Sequence, residues 1–229
     1  MQQIGYNLEH LRQSIDDACR IAGRRSEDIT LVAVTKTVPT EVIEQAIALG
    51  LNIIGENRVQ EATGKYPLIG SKVQWHLIGH LQSNKAKKAV EIFSLIHSID
   101  SVDLARDVGR RAVQIVKTQE ILLEVNTSGE PQKYGFRADE VIEALDVIKD
   151  IQGIKILGLM TVGPLSDDAD KVRSSFKILK KIFDEIKLQA IPNIEMKHLS
   201  MGMSGDYRVA IEEGSTMIRV GSAIFGSRG

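Results

Sequence analysis

Lys36 is the residue whose position in the sequence best suits covalent chemistry. It follows the apolar run 31–34 and Thr35 directly, so we expect its side chain to leave the end of a buried strand. Burial disfavours a charged ammonium, and an uncharged lysine amine condenses with aldehydes to form an imine. The alternative is a lysine whose stem lies along the strand end while its ammonium reaches solvent. Position alone leaves both interpretations open.

A second group of candidates lies near the C-terminus and suits an anion. It consists of HLSMGMSGD (198–206) and RVGSAIFG (219–226). Small residues let backbone N–H groups approach a phosphate, and Ser200, Ser204 and Ser222 add hydroxyl donors. Both segments follow the last two predicted strands, where barrels of alternating strands and helices commonly bind phosphate. Two ordinary glycine-rich turns are the alternative.

Arg219 and two histidines complete the set of candidates. Arg219 lies within the run Met-Ile-Arg-Val-Gly, where a charged side chain needs a partner. We expect it to face the barrel interior and contact a ligand, with an ion pair to Glu56 or Glu124 as the alternative. His76 and His80 span a predicted strand end, and no acidic residue is close to them in sequence. Hydrogen-bonded histidines are therefore favoured over a metal site.

Eight alternations of strand and helix must position these residues. Apolar runs typical of parallel strands cover residues 29–34, 52–55, 73–79, 94–99, 120–126, 154–160, 194–200 and 215–221. Helical spacing of apolar residues precedes the first strand at 4–22 and follows the first seven strands at 41–49, 56–62, 83–89, 102–115, 141–148, 172–186 and 206–212. Eight parallel strands close naturally into a TIM-type (β/α)8 barrel. An open doubly wound sheet is the alternative, although the first strand-helix turn lacks a G-x-G-x-x-G motif.

Composition is that of an ordinary soluble protein. The chain has 229 residues, of which 43% are hydrophobic and 26% charged, and its formal net charge is −1. This balance favours neither nucleic acid nor a membrane surface as a partner. The single cysteine, Cys19, excludes an intrachain disulfide, and the N-terminus lacks the pattern of a signal peptide. We expect one domain over residues 1–229 and a cytoplasmic location.

Six motifs resemble those of the pyridoxal phosphate homeostasis proteins of the YggS/PROSC type. They are LVAVTK, IGENRVQE, WHLIGHLQSNK, GLMTVGP, LSMGMSGD and IRVGSAIFG, and together they cover essentially the whole chain. The resemblance implies an α/β fold, a single barrel like the alanine racemase N-terminal domain (PLP fold type III) with an extra N-terminal helix. It also implies the cofactor pyridoxal 5′-phosphate (PLP), carried as an internal aldimine on Lys36.

The resemblance further implies which residues surround the cofactor. The residues that would hold the phosphate are Ser200, Met201 through its backbone, Gly221 and Ser222. Arg219 would face the pyridine nitrogen. The residues that would line the remaining cofactor face are Asn57, His76 and Met160.

An arginine at the pyridine nitrogen opposes protonation of the ring, and so weakens the ring as an electron sink. We therefore expect a PLP-binding protein of intracellular vitamin B6 homeostasis without strong catalytic activity. A slow amino-acid racemase that uses Lys36 as one base is the alternative, with Tyr134 as a candidate second base. PLP-dependent apoenzymes are the expected recipients, and a monomer or weak dimer the expected form. Whether the loop 128–136 closes over the cofactor is left open by the sequence.

Overall fold

The computed structural model describes residues 2–166 and 168–226 and consists of strands that alternate with helices. The strands are β1 (Thr30–Val34), β2 (Ile53–Glu56), β3 (Gln74–Leu77), β4 (Leu95–Ile99), β5 (Gln119–Asn126), β6 (Phe136–Arg137), β7 (Ile154–Met160), β8 (Ile194–Met203) and β9 (Met217–Val220). The helices are α1 (Gln2–Ile21), α2 (Thr40–Ala48), α3 (Val59–Ile69), α4 (Ala86–Ile92), α5 (Val102–Gln114), α6 (Val141–Ile148), α7 (Ala169–Gln189), α8 (Tyr207–Glu212) and α9 (Ser222–Phe225). Within these ranges, no helix is both long and apolar enough to cross a bilayer.

Eight of the strands in the described ranges close into a parallel barrel. Their order around it is β1, β2, β3, β4, β5, β7, β8 and β9, and β9 pairs with β1. The two-residue β6 lies beside β5, outside the ring. The register places Glu124 opposite Met160 and Met160 opposite Ser200, so these side chains lie at one level. The predicted (β/α)8 barrel is confirmed.

Apolar side chains fill the barrel and the layer between the barrel and its helices. The interior cluster consists of Val32, Leu95, Leu122, Leu157, Met160 and Met217. The extra N-terminal helix α1 is confirmed, and it packs against α2, α8 and α9. Its buried face includes Leu8, Leu11 and Cys19, whose spacing gives a helix one apolar stripe. Burial on both faces of the strands explains why most of their residues are apolar.

Several predicted element boundaries differ from the structure, and two predicted α-helices begin three residues too early. The helix expected over 56–62 begins only at Val59, because the Glu56 backbone is still paired with Leu77 of β3. The helix expected over 83–89 begins as a 3-10 turn and then runs as α4 to Ile92. The sequence did not predict β6 or α9, which are too short to show a period. The ends of the expected domain, residues 1 and 229, lie outside the described residues.

Substitution of Gly158 tests the packing between β7 and β8. Its φ is +146°, and a Cβ there would lie 1.8 Å from the carbonyl oxygen of His198. Gly158→Ala should therefore lower the free energy of unfolding by about 3 kcal/mol or more, because backbone must move. Urea unfolding measures this loss. The control is Gly64→Ala in α3, where a Cβ meets nothing within 4 Å and stability should rise slightly. Equal stability of the two variants would contradict this account of the sheet.

Candidate functional site

The candidate residues meet at the carboxyl ends of the barrel strands, as expected, but Lys36 is not buried. β1 ends at Val34, and the Thr35 N–H still donates to the Gly55 carbonyl at 2.9 Å. The chain then turns, so that the Val38 N–H donates to the Thr35 carbonyl at 3.0 Å. Lys36 lies within this turn and is exposed. The expectation of a desolvated side chain is wrong, and the alternative in which the ammonium reaches solvent is what the structure shows.

Arg219 lies inside the barrel and is 3% exposed. Its Nη1 donates to the Ser200 Oγ at 2.6 Å, and its Nη2 donates to the Thr161 carbonyl at 2.7 Å. Burial lowers the pKa of Arg219 to about 10, although the charges of Glu124 and Asp206 oppose the fall. The guanidinium therefore stays charged at neutral pH. The predicted interior orientation is confirmed.

Neither carboxylate offered as an ion-pair partner of Arg219 is bonded to it, since both acceptors of its hydrogen bonds are neutral oxygens. Glu56 is fully buried and instead accepts from Lys65 at 2.8 Å and from the Thr35 hydroxyl at 2.7 Å. Burial raises the pKa of Glu56, while these two hydrogen bonds oppose the rise. The alternative of a direct ion pair is therefore wrong. The charge of Arg219 is stabilised by the dipoles of Ser200 and Thr161 and, at longer range, by the charges of Glu124 and Asp206.

A chain of hydrogen bonds continues from Arg219 across the barrel interior. Ser200 is fully buried, and its hydroxyl, which accepts from Arg219, lies 3.1 Å from the Nδ1 of His97. The Nε2 of His97 lies 3.0 Å from the Nδ1 of His76. Burial lowers the pKa of His76 to about 3 and that of His97 well below its ordinary value. Both rings are therefore neutral, and we assign each a proton on Nε2, so that each Nδ1 is an acceptor.

His97 is a residue that the sequence reasoning missed. It lies in the middle of the apolar strand β4 and is completely buried. One signal was present, because His97 is two residues from Leu95, which packs in the barrel interior. Alternate residues of a strand share a face, so His97 had to point into the barrel as well. A polar side chain in that position requires an interior partner, which is Ser200 here.

The residues expected to hold a phosphate are only partly open to the mouth of the barrel. Gly221 is buried, its N–H donates to the Ser204 Oγ at 3.2 Å, and the exposed Ser222 begins α9. Met201 and Ser200 are buried, and the Ser200 hydroxyl is already engaged by Arg219 and His97. The Ser204–Gly221 contact joins the two C-terminal segments that the sequence analysis singled out.

The residues expected to line the cofactor face lie at two depths. Met160 and His76 are inside the barrel, with Met160 packed in the interior cluster and His76 at the end of the hydrogen-bond chain. Asn57 is half-buried just beyond β2. A Cβ on Gly79 would lie 2.4 Å from the Asn57 carbonyl oxygen, so the segment after β3 packs closely on this residue. Lys36 and Asn57 thus follow neighbouring strands, above the buried residues.

The loop 128–136 is fastened to both sides of the mouth. The Tyr134 ring stacks on His80, with centroids 3.8 Å apart and planes 11° apart. The Nδ1 of His80 in turn lies 2.9 Å from the Oδ2 of Asp100. On the other side, the Lys133 Nζ donates to the Gly163 carbonyl at 3.0 Å. Each histidine of the His76/His80 pair therefore has a hydrogen-bond partner, as the sequence analysis favoured.

Glu124 is a carboxyl group held inside the barrel mouth. It is 7% exposed and lies two residues from Leu122, on the interior face of β5. Burial raises the pKa of Glu124 to about 7, and the nearby Asp100 adds to the rise, whereas Arg219 opposes it. The Glu124 carboxyl group therefore retains its proton to a higher pH than an ordinary glutamate does.

The closed barrel has known counterparts. A family model described as "Alanine racemase, N-terminal domain" matches residues 6–229. The structure of an alanine racemase from Clostridium difficile superposes with a TM-score of 0.76 at 15% identity, covering 100% of this chain and 57% of that one. At this identity the likeness concerns the fold alone. The class is that of the alanine racemase N-terminal domain.

Proteins with higher sequence identity to this chain identify a family within this class. The chain is 40% identical over 222 residues to the Pyridoxal phosphate homeostasis protein of Aquifex aeolicus, covering 96% of both chains. The structure of PipY of Synechococcus elongatus with PLP bound matches at 36% identity and a TM-score of 0.86, covering 98% of this chain and 100% of PipY. The chain belongs to the family of pyridoxal phosphate homeostasis proteins, as its motifs predicted.

Glu124 makes the stability of the fold depend on pH. Its folded pKa of about 7 lies above the ordinary value of 4.5. Between these two values the unfolded chain releases the proton while the folded chain keeps it, so stability falls as pH rises. Glu124→Gln removes this penalty. Relative to the wild type, the free energy of unfolding of this variant should increase by roughly 3 kcal/mol as the pH rises from 4.5 to 7.5.

Urea unfolding at several pH values measures this difference. The control is Glu120→Gln, at an exposed position of the same strand, for which no such divergence is expected. Stability curves for Glu124→Gln and wild type that run parallel across this pH range would show that Glu124 ionises normally.

Proposed function

We propose that this chain binds PLP, held covalently by Lys36, and takes part in vitamin B6 homeostasis as a carrier of the cofactor rather than as a fast enzyme. The observation that carries the proposal is an exposed lysine at the mouth of a barrel whose interior holds a charged arginine fixed by two hydrogen bonds. PipY, which is 36% identical over almost the whole chain, has been solved with PLP bound. The proposed unit is one barrel domain spanning residues 1–229.

The residues at the mouth fit the chemistry of PLP, which supplies an aldehyde and a phosphate when bound. The aldehyde needs an accessible amine, and Lys36 is exposed, whereas the neighbouring Lys65 is 9% exposed and has three acceptors. For the phosphate, we assign the Ser222 hydroxyl and the region where Gly221 meets Ser204. Donors of this kind bind phosphate in many proteins.

Arg219 is the residue that disfavours catalysis. Two of its nitrogens are fixed by Ser200 and Thr161, which leaves its remaining N–H groups to donate to a ring nitrogen. A permanent cation at that nitrogen opposes ring protonation, and protonation is what makes PLP a strong electron sink. His76 and His97 are neutral and cannot replace the missing acid. Asn57, His76 and Met160 would complete the wall on which the ring lies.

A slow amino-acid racemase is the second candidate. Tyr134 favours it, because this phenol lies on the rim of the mouth and stacks on His80, which Asp100 orients. Racemisation requires two bases on opposite sides of a substrate carbon, and Lys36 and Tyr134 come from different sides of the mouth. The partly covered mouth still admits water, which weakens electrostatic stabilisation of a reacting group.

Other parts of the proposal concern the setting in which the protein acts. The recipients would be PLP-dependent apoenzymes, and the form in solution a monomer or weak dimer. A net charge of −1 provides no basic surface for nucleic acid. The single cysteine, Cys19, is buried and unpaired, which suits the reducing cytoplasm.

Borohydride reduction tests the covalent assignment. Protein incubated with PLP and reduced should carry the label on Lys36, and Lys36→Ala should lose both the label and the yellow colour. The control is Lys72→Ala, which removes an exposed lysine that is ion-paired with Glu44 and should label normally. A label on another lysine in the wild type would refute the assignment of Lys36.

Proton exchange in deuterated water separates the two candidate functions. A carrier should exchange the α-protons of L-alanine and L-serine no faster than free PLP at equal concentration. A racemase should exchange them much faster, and Tyr134→Phe should then remove most of the excess. Mass spectrometry of the amino acids measures the rate. Fast exchange in the wild type would replace the carrier function with the racemase function.

A further inference from the structure

The turn that presents Lys36 is strained and needs an external support. Thr37 has a φ of +60°, in the left-handed region that β-branched residues rarely adopt. The residues that flank Lys36 and Thr37 are both constrained, since the Thr35 N–H is hydrogen-bonded to the Gly55 carbonyl and Val38 is buried. Lys36 itself is exposed and lies between them. The support must therefore come from groups that hold the backbone on either side of Lys36.

Lys65 of α3 provides such a support from beneath the turn. Its Nζ donates to the Thr35 carbonyl at 2.7 Å, to Glu56 Oε1 at 2.8 Å and to Glu61 Oε1 at 2.7 Å. An ammonium has three N–H donors, and here each has an acceptor. The Lys65 side chain is 11% exposed. Breaking this set would leave buried charges without partners, which is strongly unfavourable.

The two carboxylates carry the support to both sides of Lys36. Glu56 Oε1 accepts from the Thr35 hydroxyl at 2.7 Å, just before Lys36. Glu61 Oε1 accepts from the Thr37 N–H at 2.5 Å, just after it. The residues on both sides of Lys36 are thus tied to one buried ammonium, while the Lys36 side chain extends into solvent.

We propose that Lys65, with Glu56 and Glu61, is a positioning clamp that holds the Lys36 turn in its strained form and thereby aims the Lys36 amine across the mouth. This inference rests on the proposed function in its last step, the reaction of Lys36 with PLP. The clamp itself exists or fails independently of any cofactor. Lys65 acts only through the backbone of the turn.

The rate of PLP incorporation at Lys36 tests the aiming step. Glu61→Ala removes the acceptor of the Thr37 N–H and should slow borohydride-trapped labelling of Lys36 by about tenfold, because small misplacements of a reacting group are costly. Adding Thr37→Gly should restore most of the rate, since glycine adopts a positive φ without strain. The matched control is Glu44→Ala, which breaks the exposed Lys72–Glu44 ion pair of 2.8 Å and should label normally.

Hydrogen exchange of the cofactor-free protein tests the clamp without PLP. The Thr37 amide lies in an exposed turn, yet it should exchange slowly in the wild type and quickly in Glu61→Ala. Lys65→Met should also speed exchange of the Thr37 amide. If Lys65→Met does not fold, the exchange rate in Glu61→Ala alone tests the clamp. Rapid exchange in the wild type, or wild-type labelling of Lys36 by Glu61→Ala, would overturn the clamp. Slow exchange in a wild type that takes no label on Lys36 would instead overturn the proposed function and leave the clamp standing.

Discussion

The interaction on which the site depends is the hydrogen bonding of the buried Arg219 guanidinium by neutral oxygens. A charge placed in a barrel interior is costly unless it is well solvated by the protein. Ser200 and Thr161 supply that solvation here, and Ser200 is in turn held by His97. Because the partners are neutral, the charge is not cancelled locally. It stays available to a ligand above it and sets the electrostatics of the whole mouth.

The interior and the rim of the site have different roles. The interior holds neutral histidines, a hydrogen-bonded hydroxyl and apolar side chains that include Met160. The rim carries the groups that meet solvent, namely Lys36, Ser222 and Tyr134. A fixed charge below and an accessible amine above suit a protein that must hold a reactive aldehyde and also give it up. The buried Glu124 adds a group that changes charge near neutral pH.

Much of the fold was predictable because most barrel strands are short, largely apolar runs that alternate with segments of helical spacing. The conformation of single residues was not predictable. Lys36 was expected to be buried, but it lies in a turn beside Thr37, whose positive φ no sequence propensity favours, and this turn exposes the lysine. His97 and Lys65 were missed for a related reason. Their partners are distant in sequence, and only the closed barrel brings His97 to Ser200 and Lys65 to the turn that holds Lys36.

The fastening of the loop 128–136 decides from which direction a molecule reaches the barrel. The loop leaves β5 and is tied to His80 beyond β3 and to Gly163 beyond β7, so it roofs the half of the opening above β4 and β5. The opposite half, formed by β8, β9, β1 and β2, carries Lys36, Asn57, Ser204 and Ser222. Entry and exit therefore follow a one-sided path along that half. A molecule that reaches Lys36 would therefore approach over the β1 and β9 edges, away from Tyr134.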